Sequence, residues 1–262
     1  MTFISIVSVN IEYGNRNRLK IQERSNIISQ YNPDLIFIQE CDKTAINLDE
    51  SYESIYFPII SSEMIEIYLK KDSEWKQEYV TQFNSELSYT TRTCKVIYLK
   101  NKITNKIIKL GNVHLCGGRY DENDNIGKML IGNLKLIRKR KIEVIETLIN
   151  DFNIDIIAGD FNSDIFCYLN NEIQIHHHEY LNKISPKKSY DIYKEWNIAP
   201  YKYLENNNYN LSNSEFKFTS IYKTQPDSIW FKNMSLINYK YLDLIADNLS
   251  DHNGIYSKFK IK

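Results

Sequence analysis

The chain is poor in residues that break or bend a backbone, with 8 glycines and 5 prolines in 262 residues and no stretch rich in either. That excludes a collagen-like or low-complexity protein. Its 4 cysteines, Cys41, Cys94, Cys116 and Cys167, are far apart and form no Cys-x-x-Cys pair. Such spacing speaks against structural zinc and against a disulfide framework, and a reduced intracellular compartment is the simplest reading. The opening run Phe3-Ile-Ser-Ile-Val-Ser-Val9 is too short and wrongly flanked for a signal peptide or a membrane span. An intracellular protein, in cytoplasm or nucleus and without stable membrane association, is therefore expected. Charge of one sign is lacking too, because 33 Lys and Arg balance 33 Asp and Glu. A protein that coats nucleic acid by neutralising many phosphates carries a basic excess. The balance excludes that class, but an enzyme needs only a locally positive site, which a bound cation can supply.

What is present describes an ordered globular chain, 42% hydrophobic and 25% charged, with 20 tyrosines. A chain of this length buries a substantial core without disulfides, and no internal repeat or linker divides it, so a single domain over 1–262 and a monomer are expected. Short apolar runs rich in β-branched residues predict buried strands at 3–9, 35–38, 65–69, 95–99, 107–115, 154–158 and 228–231. Alternation of polar and apolar residues predicts a last strand at 253–261. A helix is expected over 16–31, ending before Pro33, and a longer one over 126–150. In the longer one Leu130, Leu134, Ile137, Ile145 and Leu148 make one stripe. Lys135, Arg138, Lys139, Arg140 and Lys141 crowd the rest and read as a solvated outer face. Shorter helices are expected over 165–171 and 191–196, and a loop over 206–213. The pattern predicts two packed sheets with helices outside.

Acidic, amide and imidazole residues recur at the ends of these strands, where they can converge on one sheet edge. The first strand ends at Asn10 and the second apolar run in Gln39-Glu40. Gly111-Asn-Val-His-Leu115 places His114 late in a strand, and Ile156-Ile-Ala-Gly-Asp-Phe-Asn162 places Asp160 and Asn162 after one. Asp227 opens Asp-Ser-Ile-Trp230, and Ser250-Asp-His-Asn-Gly254 precedes the last strand. Singly, each reads as a turn residue, a surface carboxylate or a packing histidine. In this order they point to a shared site.

Gln39-Glu40, Gly159-Asp-Phe-Asn162 and Ser250-Asp-His252, in sequence from Asn10 to His252, resemble the endonuclease/exonuclease/phosphatase superfamily. That superfamily includes DNase I-like nucleases, abasic-site endonucleases, tyrosyl-DNA phosphodiesterases, deadenylases, sphingomyelinases and inositol-phosphate phosphatases. The resemblance implies an α/β fold, a four-layer α/β sandwich of two packed mixed β-sheets flanked by helices, with the site at one edge. It implies hydrolysis of a phosphodiester by a metal-activated water, with Mg2+, or Mn2+, held mainly by Glu40 and assisted by Asn10 and Asp251. Asp160 resembles the residue that orients or deprotonates the attacking water, and Asn162 the residue that holds that water or a phosphate oxygen. His252 resembles the imidazole that donates to the phosphoryl group, with Asp227 fixing its tautomer, and His114 a second donor.

The chain also departs from the family pattern. Val9 stands where an aromatic is frequent, and Gln225, Pro226 and Ser228 surround Asp227 where a basic residue is frequent. Arg119, in Gly117-Gly-Arg-Tyr-Asp121, is a substitute phosphate donor or a surface loop arginine, and Tyr222 and Lys223 are candidates of the same kind. His176-His-His178-Glu179 reads as a solvated segment, because consecutive histidines point in different directions. Nucleic acid is the expected substrate, by nuclease action or processing of a DNA end, and no obligate protein partner is expected. The family also spans lipid substrates, so a phosphoinositide phosphatase or a sphingomyelinase-like phosphodiesterase is the alternative. A phosphate-binding module without turnover comes third.

Overall fold

The structure is a computed structural model that describes residues 1–11, 18–41, 43–57, 65–84, 93–116, 126–173, 188–213, 215–221 and 223–262. The first half of the chain runs β1 (Thr2–Asn10), α1 (Arg18–Ser29), β2 (Leu35–Gln39), β3 (Tyr52–Ser54), β4 (Glu66–Lys70), β5 (Trp75–Asn84), β6 (Thr93–Asn101) and β7 (Ile107–His114). The second half runs α2 (Ile126–Asn150), β8 (Ile156–Asp160), α3 (Ile165–Asn170), α4 (Lys188–Asn206), β9 (Asn210–Leu211), β10 (Asp227–Phe231), β11 (Met234–Leu242) and β12 (Gly254–Ile261). Two six-stranded sheets result, ordered β11-β12-β1-β2-β4-β3 and β5-β6-β7-β8-β10-β9.

The sequence carries no repeat, but the topology does. In each sheet one central pair is parallel, β1 with β2 and β7 with β8, and every other neighbour is antiparallel. A parallel pair needs a crossover connection. The helix within each crossover, α1 in one sheet and α2 in the other, covers the outer face of its own sheet. The two sheets are thus two copies of one architecture, packed face to face.

Period-two alternation assigns the side chains. Ile4, Ile6, Leu35 and Phe37 of the first sheet meet Leu110, Ile156, Ala158 and Ile229 of the second in the central core. Residues of opposite parity point outward. Val7, Val9, Ile36 and Ile38 pack with Ile28 of α1. Val113, Ile157 and Trp230 pack with Val144, Ile145 and Leu148 of α2 and with Tyr201 and Leu204 of α4. Each such side chain contributes about 1.5–3 kcal/mol by leaving water. The layers are therefore helix, sheet, sheet, helix, as the sequence pattern predicts.

Several elements differ from expectation. Strands β5 and β11 line the sheet edges, their residues largely exposed or half-buried, and lack a buried apolar run. The stretch expected as a loop over 206–213 holds the end of α4 and β9, which pairs with β10. Among the described residues no helix is long and apolar enough to cross a membrane.

Candidate active site

Inner-face positions run from apolar to polar toward one end of the sandwich. Along β1 they read Ile4, Ile6, Ser8, Asn10, and along β2 Leu35, Phe37, Gln39. Along β7 they read Ile108, Leu110, Asn112, His114, and along β8 Ile156, Ala158, Asp160. Strand β10 is antiparallel to β8 and supplies Phe231, Ile229 and then Asp227. Pairing aligns the polar ends. Asn10 is in register with Gln39, and Asp160 is in register with both His114 and Asp227. Asn10, Gln39, His114, Asp160 and Asp227 are all buried. Buried polar groups are costly unless satisfied, and here two of the amides pair across the sheets. The Asn10 amide donates to Asp160 Oδ2 at 3.0 Å. The Gln39 amide donates to Asn112 Oδ1 at 2.6 Å.

Asp160 is the hub. It is the last residue of β8 rather than the first after it, because the strand extends two residues beyond its apolar run. Its Oδ1 accepts the Asn162 backbone N–H at 2.6 Å, and its Oδ2 also accepts the Asn162 amide at 3.3 Å. His114 Nε2 lies 3.5 Å from Asp160 Oδ2 and 3.3 Å from Glu40 Oε1. Burial alone would raise the Asp160 carboxyl, but His114, His252 and the Asn162 and Asn10 donors hold it below its ordinary value.

Two site residues adopt left-handed backbone. Asn162 has φ 47, and its amide also donates to the Leu115 carbonyl at 2.9 Å. Glu40 has φ 51. For a residue other than glycine or asparagine this costs on the order of 1 kcal/mol, and such strain clusters at functional positions. It turns Glu40 out of the strand direction and toward His114.

The second wing of the site comes from the segment before β12. Ser250 Oγ donates to the Asn10 carbonyl at 2.9 Å and accepts the His252 N–H at 3.1 Å, which docks this segment on β1. His252 Nδ1 is 2.8 Å from Asp227 Oδ2. Burial pushes the His252 imidazole down, but Asp227, Asp160 and Asp251 together raise it to about 10. Burial and the neighbouring Asp160 charge raise Asp227, against the pull of His252. Nδ1 is the ring nitrogen turned to Asp227, and Nε2 faces away from it. Asp251 Oδ1 lies 3.9 Å from that Nε2.

The donor set suits a hard divalent cation, being mainly carboxylate and amide oxygen. Asp160, Asp227 and His252 offer ligand atoms within 4.8 Å of one another. Asp227 Oδ1 is buried without a hydrogen-bond partner among the described residues.

The structure thus brings together Asn10, Glu40, His114, Asp160, Asn162, Asp227, Asp251 and His252. Lys223 sits beside them in an exposed turn, its N–H donating to Ser220, which is bridged to His252. Arg119, Tyr222 and the segment His176-His-His178-Glu179 lie outside the described residues. Sequence reasoning missed Asn112, whose signal was its inner-face position two residues before His114. It also missed Lys141, placed with the solvated face of α2 but buried in the structure.

No protein-family model matches the chain, and no curated protein matches it in sequence. Solved structures match over their whole length. An endonuclease/exonuclease/phosphatase from Bacteroides vulgatus superposes with a TM-score of 0.67 at 14% identity, covering 100% of both chains. A mannosyl-6-phosphatase from Bacteroides thetaiotaomicron gives 0.60 at 15% identity, covering 98% of this chain and 100% of that one. D. rerio TDP2, solved with a single strand DNA product, gives 0.57 at 14% identity, covering 99% and 100%. The chain has the fold of the endonuclease/exonuclease/phosphatase proteins.

Proposed function

We propose that this chain is a divalent-metal-dependent phosphoester hydrolase whose substrate is a phosphodiester in nucleic acid. One observation carries the reading. The buried row His114, Asp160, Asp227 faces Asn10 across the sheets, with Glu40 and His252 at its two ends. A binding module without turnover has no use for a strained carboxylate and a charged imidazole set around one buried aspartate.

Glu40 would hold the cation, Mg2+ or Mn2+, with Asn10 and Asp251 contributing. The Asp160, Asp227 and His252 grouping is the weaker site, because His252 Nδ1 and Asp227 Oδ2 are already engaged with each other. When bound, the cation supplies positive charge against the phosphoryl oxygens and acidity to water.

The chain's own residues divide the remaining work. Asp160 is held by four donor contacts and by a lowered pKa, which makes it a weak base and a good fixed acceptor. It orients the attacking water, with Asn162 fixing it from behind. The water oxygen forms the new bond to phosphorus and passes its proton through Asp160 to solvent, as the bond to the leaving oxygen breaks and that oxygen takes a proton from solvent. His252 offers its Nε2–H to the phosphoryl group, its tautomer set by Asp227. His114 Nε2 already spans Glu40 and Asp160, so a phosphate reaching it would compete with two carboxylates.

Nucleic acid is favoured by the likeness to a fold neighbour solved with single strand DNA product. The likeness to a sugar phosphatase favours a second reading, a phosphomonoesterase on the same residues. Incubation with end-labelled single- and double-stranded DNA and RNA, and separately with sugar 6-phosphates and inositol phosphates, separates the two. Metal-dependent shortening of an oligonucleotide supports the first. Phosphate release from the monoesters alone supports the second, and silence on every substrate contradicts both.

A further inference from the structure

Helix α2 carries a lysine where its buried stripe calls for an apolar residue. Lys141 lies four residues after Ile137 and four before Ile145, so it points inward with them. Its side chain is buried at 1% exposure. An ammonium in such a place loses its hydration and is destabilising unless polar partners replace it. The partners are specific. Lys141 Nζ donates to the Asn162 carbonyl at 2.5 Å and to Ser163 Oγ at 2.8 Å, and lies 4.0 Å over the ring of Trp196. Tyr201 donates to the Ser163 carbonyl, and the Asp164 N–H donates to Asn197 Oδ1 at 2.6 Å.

The segment from Asn162 to Asp164 is therefore gripped from behind by α2 and α4, while its front side holds Asp160. Asn162 reaches Asp160 through its backbone N–H and its amide only with its left-handed backbone, φ 47. A charge-assisted hydrogen bond to the carbonyl of that same residue, with its direction fixed by a packed helix, restricts the rotation that would release it.

We propose that Lys141 is a positioning residue. It acts through Asn162 to hold the Asp160 carboxylate and its water site in working geometry, without touching substrate. The kinetic part of this proposal rests on the hydrolase reading above; the structural part stands alone. A methionine matches the lysine stem and removes only the donor.

In Lys141→Met, hydrogen–deuterium exchange of peptides covering 159–166 is expected to quicken roughly tenfold or more, while peptides covering 35–41 stay unchanged. Turnover is expected to fall about 10–100-fold, with KM and Mn2+ affinity within about twofold of the parent. Turnover is measured well below the thermal midpoint, where circular dichroism shows the variant folded. Unchanged exchange at 159–166, or turnover within about twofold of an active parent, overturns the proposal. If the parent protein hydrolyses no phosphoester with metal present, the hydrolase reading fails by itself, and the exchange comparison alone decides whether Lys141 holds the segment.

Discussion

Asp160 and Asp227 are direct antiparallel partners on β8 and β10, two buried carboxylates side by side on one face of one sheet. Like charges so placed repel. The site accommodates them by setting an imidazole on each flank, His114 beside Asp160 and His252 beside Asp227.

That arrangement sets a pH dependence. His252 is raised from its ordinary 6.5 to about 10, against the effect of burial, by Asp227, Asp160 and Asp251. A group raised in the folded state contributes stability that is fully present below its unfolded pKa and is lost as pH rises through the folded one. The metal-free protein is therefore expected to lose stability to urea between pH 7 and 10, and its His252 ring resonances to titrate near the top of that range. In Asp227→Asn the titration should move down toward the ordinary value. A parent His252 that titrates at its ordinary value contradicts the paired geometry.

Gly159 has φ 146, and a Cβ there would stand 1.9 Å from the Val113 carbonyl oxygen of the neighbouring strand. No rotation of a side chain relieves a contact with backbone. Gly159→Ala is expected to cost about 3 kcal/mol or more, or to prevent soluble expression. A thermal midpoint unchanged from the parent would show that β7 and β8 are not so closely apposed.

Arg24 of α1 is the counterpart of Lys141 in the other sheet. It is fully buried; its Nε donates to the Leu249 carbonyl at 2.8 Å and its Nη1 to the Ala45 carbonyl. One guanidinium thus joins the segment after Glu40 to the segment before Asp251. Arg24→Leu is expected to lower unfolding free energy by about 2 kcal/mol or more and to weaken Mn2+ binding about tenfold or more. Denaturation and Mn2+ titration measure the two effects separately. Stability lost with metal affinity intact would place the cation away from Glu40 and Asp251.

The sequence revealed what the central core depends on. Strands β1, β2, β7, β8 and β10 are buried on both faces, so their apolar runs stand out, and the polar residues ending those runs make up the candidate site. Edge strands carry no such signal. Strand β5, Trp-Lys-Gln-Glu-Tyr-Val-Thr-Gln-Phe-Asn, is largely exposed and is held by pairing with β6, and β11 bulges between Leu236 and Asn238. Helix α4, expected only over 191–196, spans Lys188–Asn206 and continues through Pro200. The coupling of Asn10 to Asp160, 150 residues apart, follows from sheet packing and not from any local pattern. Lys141 was visible as a charge on an apolar stripe, but the basic residues Lys135, Arg138, Lys139 and Arg140 beside it masked the exception.

If one metal-dependent site spans Glu40 and Asp160, cleavage of a labelled phosphodiester oligonucleotide depends on both residues and on the metal. Parent, Glu40→Gln and Asp160→Asn proteins are compared with Mg2+, with Mn2+ and with EDTA. The account predicts cleavage by the parent that EDTA abolishes, and a fall of at least about a hundredfold in each variant. Cleavage that persists in EDTA, or that survives in both variants, would contradict it.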